Sequence, residues 1–123
     1  MSKSAKKVVK NFLESDVFVN PDSFSDYFSK NLVINWHASS GFKQFDYNEY
    51  ERLCQSTASS YRSMRTDVTH IFSSKSEVAA RFTVYVKTIE NPSEEIPVGY
   101  FVSIFKVEDE KICEIHQSSH PQQ

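Results

Sequence analysis

Apolar residues recur at Ala5, Val8, Val9, Phe12 and Leu13, a spacing that gathers them on one stripe of a helix with Lys3, Lys6, Lys7 and Lys10 outside it. The pattern predicts a first helix there. Asn20 before Pro21 signals the start of a short second helix, since the Asn side chain can cap free amides and proline lacks an N–H that would go unused. That helix would present Phe24, Tyr27 and Phe28. Residues 32–37 alternate Leu32, Ile34 and Trp36 against Val33, Asn35 and His37, the period of a strand with two unlike faces. Ser39, Ser40 and Gly41 end it. From Asp46 onward, Tyr50, Leu53, Cys54 and Thr57 return to helical spacing, and Asp46 with Glu49 makes a capping box for a third helix.

The remainder is rich in Val, Ile, Phe, Tyr and Thr, and predicts strands over residues 65–72, 78–89, 98–107 and 111–118. Residues 73–76 and 108–110 form short polar turns. Residues 91–97, with two prolines and two glutamates, form a longer one. No repeat or linker interrupts the chain, so residues 1–123 read as a single domain, with 120–123 frayed. Three helices mostly ahead of a run of hairpins define an α+β domain, its helices covering one face of a curved, mostly antiparallel sheet. The other face keeps Val, Ile, Phe or Tyr at alternating positions in the last three strands and needs a second cover. A homodimer is the economical expectation.

Composition narrows the function classes. A chain of 123 residues, 39% hydrophobic, holds one core and can be stable without disulfides or a structural metal. Two glycines cannot supply a phosphate-cradling loop or a dinucleotide fingerprint. A formal charge of −2 argues against a nucleic-acid partner, which needs a basic face. No apolar run approaches the roughly 20 residues that span a bilayer, and Glu14 and Asp16 interrupt the only stretch that could imitate a signal peptide. Cys54 and Cys113 belong to no paired spacing and read as reduced thiols of a cytoplasmic protein. His116 and His120 are four apart, but that spacing shares a face only on a helix, so no metal or other cofactor is expected.

The order helix, short helix, strand ending in Trp36-His37, helix and then four long strands resembles the SnoaL-like branch of the nuclear transport factor 2-like superfamily. The likeness spans nearly the whole chain. Its specific points are residues 27–31 (Tyr-Phe-Ser-Lys-Asn) entering the first strand, 78–83 (Val-Ala-Ala-Arg-Phe-Thr) in mid-sheet, and the closing Lys111-Ile112-Cys113-Glu114-Ile115. The family usually has glycine before that Lys-Ile, where this chain has Glu110, so a different turn is expected. It often has Trp-Asp after the Glu, where His116-Gln117 stands. The resemblance implies a cone-shaped, usually dimeric fold around an apolar pocket, hosting polyketide cyclases, ketosteroid isomerases, epoxide hydrolases, dehydratases and non-catalytic modules.

His37 falls at about the place where several enzymes of that superfamily carry an acid/base residue, and an imidazole can move protons near neutral pH. A half-solvated rim histidine is the bland alternative. His116 either points into the cone or lies on the dimer face. The aromatic content, 14%, suits a flat apolar ligand as well as a packed core. Trp36, Tyr27, Tyr85 and Tyr100 are the ligand-binding candidates. Trp36, His37, Tyr85 and His116 are expected around one cavity, with Tyr27 and Tyr100 at its mouth or wall. The chain then reads as a binder of small apolar molecules, with cofactor-independent isomerase, cyclase or dehydratase chemistry through His37 and His116. The alternative is a non-catalytic ligand-binding or dimerisation module, since no buried carboxylate pair is evident.

Overall fold

The structure is a computed structural model describing residues 4–121. Ser4 opens the first helix by accepting a hydrogen bond from the Lys7 backbone N–H at 3.1 Å. Helix α1 (Ala5–Leu13) then buries Val8, Val9, Phe12 and Leu13 and leaves Lys6, Lys7 and Lys10 in solvent. Lys3 lies outside the described residues. Each of those buried side chains stabilises the fold by roughly 1.5–3 kcal/mol.

The second helix departs from expectation. Asn20 makes no side-chain cap, and Pro21 opens one 3-10 turn (Pro21–Ser23) that passes into a single α turn, α2 (Phe24–Tyr27). Strand β1 (Phe28–Ala38) follows at once and takes in Phe28. Strand β2 (Gly41–Asp46) is one the sequence does not announce, because only Phe42 and Phe45 among its residues are large and apolar. Gly41, at φ +124°, lets the chain reverse after Ser39 and Ser40 and pair with Ala38.

Asp46 ends β2 and caps α3 (Tyr47–Ser60). Its carboxylate accepts from the Glu49 N–H and its own N–H donates to the Glu49 carboxylate, both at 2.9 Å, so the expected capping box is formed. Strands β3 (Tyr61–Ser74), β4 (Glu77–Thr88), β5 (Glu95–Glu108) and β6 (Lys111–Pro121) complete one sheet in the order β2-β1-β6-β5-β4-β3. Only β1 with β6 is parallel. Residues 120–121 are thus in a strand rather than frayed, and 122–123 lie outside the described residues. Between β5 and β6, Asp109 (φ 52°) and Glu110 (φ 61°) are both left-handed, a turn geometry that usually takes Asn-Gly. Here it forms without glycine.

This is the α+β architecture expected: α1 crosses β3, β4 and β5 while α3 crosses β1, β2 and β3, all on one face of the sheet. An aromatic cluster joins the layers, with ring centroids 4.6 Å apart for Phe24–Phe28, 5.0 Å for Phe12–Phe28 and 5.5 Å for Phe28–Tyr50. Register shifts with the extra residues in β3, β5 and β6 bend the strands around these helices.

The opposite face is bare. One cross-strand row reads Phe42, His37, Ser118, Val102, Arg81 and His70, and the next reads Gln44, Asn35, His116, Ile104, Ala79 and Phe72. Phe72, Phe42, Val102 and Ile104 are 66%, 56%, 53% and 45% exposed, an apolar content well beyond a solvated sheet face.

Candidate functional site

A cavity of about 210 Å³ lies between the helices and the covered face of the sheet. Its floor is Trp36 of β1, Gln117 of β6, Phe101 of β5 and Phe82 and Val84 of β4, and its roof comes from Phe12 and Leu13 of α1 and Tyr50, Leu53 and Thr57 of α3. Pairing explains the floor: Trp36 is the register partner of Gln117, and Phe101 that of Phe82, with the Phe101 and Phe82 rings stacked at 5.3 Å.

Three polar side chains on this lining are already engaged. Ser15 donates to the Phe12 carbonyl at 2.6 Å, Thr57 to the Phe18 carbonyl at 2.6 Å, and the Trp36 indole N–H to Ser119 Oγ at 2.8 Å. Gln117, 8% exposed, accepts from the Ser103 hydroxyl at 3.2 Å through Oε1, which leaves its Nε2 unpaired. Tyr50, 4% exposed, has no hydrogen-bond partner among the described residues. No fully buried side-chain nitrogen or oxygen among those residues lacks a partner, so both heads keep some accessible surface, and both residues line the cavity. Burial, with a smaller contribution from Cys54, pushes the Tyr50 hydroxyl well above its ordinary pKa, so it stays a neutral donor. Half-buried Tyr61 and Thr66 and exposed Asp16 complete the polar lining. Among the described residues, no lysine, arginine or histidine lines the cavity.

Of the six residues expected at the site, only Trp36 lines the cavity. His37 is exposed on the opposite face with its ring 4.8 Å from Phe42, because consecutive strand residues point to opposite faces. His116 is on that same outer face, its Nε2 2.5 Å from a Glu114 carboxylate oxygen. The two imidazoles therefore do not meet in the cavity. Tyr85 packs under the Arg65 guanidinium, 4.5 Å from its ring centroid, and Glu95 holds Arg65 at 2.9 and 3.1 Å. Tyr100 edges a shallow outer groove with Arg81 and His120. Tyr27 packs on Phe12 and borders a separate polar groove beside Asp26 and Lys111. The cavity residues that were missed are chiefly Tyr50 and Gln117. Tyr50, Leu53 and Thr57 lie on the stripe whose spacing predicts the third helix, and Gln117 shares the parity of Ile115.

Cys54 and Cys113 are unpaired thiols, pushed up to about 12 and about 11 respectively, by burial first in both cases. Among the described residues no three His, Cys, Asp or Glu side chains gather as a metal site, and no helix is long and apolar enough to cross a membrane.

No family model and no curated protein matches the sequence. Solved structures do match the fold. IdmH, described as a putative polyketide cyclase from Streptomyces antibioticus, aligns with TM-score 0.74 at 16% identity over 95% of this chain and 92% of its own. An LEH-like epoxide hydrolase from M. tuberculosis aligns with TM-score 0.69 at 15% identity over 94% and 81%. An NTF2-like protein of unknown function from Burkholderia pseudomallei aligns with TM-score 0.64 at 13% identity over 94% and 90%. The chain has the nuclear transport factor 2-like fold, in agreement with its SnoaL-like resemblance.

Proposed function

We propose that this protein binds a small apolar molecule in the cavity between its helices and its sheet. The observation that carries this reading is the cavity itself: aromatic and aliphatic walls surround about 210 Å³, with the polar heads of Tyr50 and Gln117 buried among them. A packed core leaves no such space. The cyclase and epoxide hydrolase named above put reactions of small molecules on this fold, which supports the reading without fixing a reaction. Calorimetric titration with the bicyclic hydrocarbon tetralin tests it. The wild-type protein should bind, and Leu53→Trp, which fills the cavity, should not. Equal binding by both would contradict the reading.

Acid/base catalysis is the second reading, supported by Asp16 and Tyr50 lining the same cavity. Asp16 would take a proton and Tyr50 would stabilise the oxygen that gains charge. His37 and His116 lie on the other face of the sheet from this cavity.

The working unit in this proposal is a homodimer formed through the bare outer face, supported by exposed Phe42, Phe72, Val102 and Ile104. The two unpaired thiols fit a reducing compartment such as the cytoplasm.

A further inference from the structure

We propose that the ligand is a neutral molecule of one or two rings bearing an acceptor oxygen, such as a cyclic or aryl ketone, and that Tyr50 and Gln117 hold that oxygen. This rests on the small-molecule-binding reading above and adds size, charge and polarity to it.

Size comes from the volume. An apolar cavity of about 150 Å³ accommodates a benzene ring, so about 210 Å³ admits a substituted ring or a small bicycle and excludes a polycyclic skeleton. Charge comes from the lining. An anion would shed its hydration with no lysine, arginine or histidine to replace it, and Asp16 at the opening would repel it. A cation fares no better at depth. Among the described residues the only carboxylate on the lining is Asp16, at its exposed end, so nothing at depth neutralises a positive charge.

Polarity comes from the unpaired heads. Tyr50 and Gln117 are each more than nine-tenths buried, each line the cavity and each keep a donor without a protein partner. A hydrocarbon would seal both donors away unsatisfied, which carries an energetic penalty, whereas a ketone oxygen has two lone pairs to accept from them. Of the other hydroxyls on the lining, Ser15 and Thr57 already donate to backbone carbonyls, and those of Tyr61 and Thr66 belong to half-buried residues, where an unmet donor costs less. Tyr50 and Gln117 thereby become specificity-determining residues.

The test is a matched series titrated into the intact chain by calorimetry: tetralin, α-tetralone, and the tetralin analogues carrying a carboxylate or an ammonium group. α-Tetralone should bind about tenfold or more tighter than tetralin, and both charged analogues at least tenfold weaker than the ketone. Tyr50→Phe, and Gln117→Leu combined with Ser103→Ala so that no buried hydroxyl is orphaned, should each narrow the gap between the two probes, the ketone losing an accepted hydrogen bond and tetralin no longer sealing a donor away unsatisfied. The carbonyl stretch of bound α-tetralone gives a readout that needs no variant. It should lie below its value in hydrocarbon solvent if the donors engage it.

Equal binding of tetralin and α-tetralone, or tighter binding of a charged analogue, would overturn the inference and leave the small-molecule reading standing. Failure of both neutral probes to bind would overturn the two together.

Discussion

Trp36 and Gln117 are register partners across the single parallel strand pair, and both face the cavity. Each is tied to its own strand neighbour, Trp36 to Ser119 and Gln117 to Ser103. The floor of the cavity is therefore fixed by side-chain hydrogen bonds as well as by the ladder beneath it, and its polar content sits on β6.

Ser103 is wholly buried, and the Gln117 side chain is its only side-chain partner among the described residues. Gln117→Leu orphans that hydroxyl and should lower unfolding stability by about 1–3 kcal/mol. Adding Ser103→Ala should recover much of the loss. Urea denaturation of the two singles and the double checks this, and additive losses would show that the pair is not coupled.

Both thiols and Tyr50 have raised pKa values in the folded chain, so the unfolded chain ionises first. Their contribution to stability is full below roughly pH 9 and is lost as pH rises toward 11 and 12. Thermal melts should fall over that window, and Cys54→Ala should flatten part of the decline. At pH 8 native protein should resist iodoacetamide, while urea exposes both thiols to it. Mass spectrometry reads this, and native labelling at the rate of a free thiol would count against burial.

Lys75 is exposed and left-handed, with φ 56°, in the β3–β4 turn. Lys75→Gly removes a steric cost and adds unfolded-state entropy, with a net gain of about 0.5–1 kcal/mol expected. A lower denaturation midpoint in the variant would contradict the strained turn.

Ile104 stands in the middle of the bare face, between His116 and Ala79. Ile104→Lys should convert a sedimenting dimer to monomer at micromolar concentration and leave the circular dichroism spectrum unchanged. A wild-type monomer at that concentration would contradict the proposed dimer.

Much of the fold was legible because its signals are periodic. The α1 stripe, the Asp46–Glu49 capping box and the long β-rich tail each carry a repeat that local sequence states directly. β2 was hidden because it is an edge strand whose pairing with β1, rather than its own composition, makes it a strand. The site was harder to see. Trp36 and His37 were both expected to face inward, although neighbours in a regular strand cannot, and the same parity sends His116 out and Gln117 in. No residue pattern distinguishes a helical stripe that packs tightly from one that leaves a cavity, which is why Tyr50, Leu53 and Thr57 announced a helix and not a site.

The most direct measurement is a heteronuclear NMR titration of labelled protein with α-tetralone, followed at side-chain resonances on both faces of the sheet. The account predicts saturable shifts of the Trp36 indole N–H and the Gln117 side-chain amide, with the His37 and His116 ring signals unmoved. Shifts confined to His37 and His116, or none at saturating ligand, would contradict it.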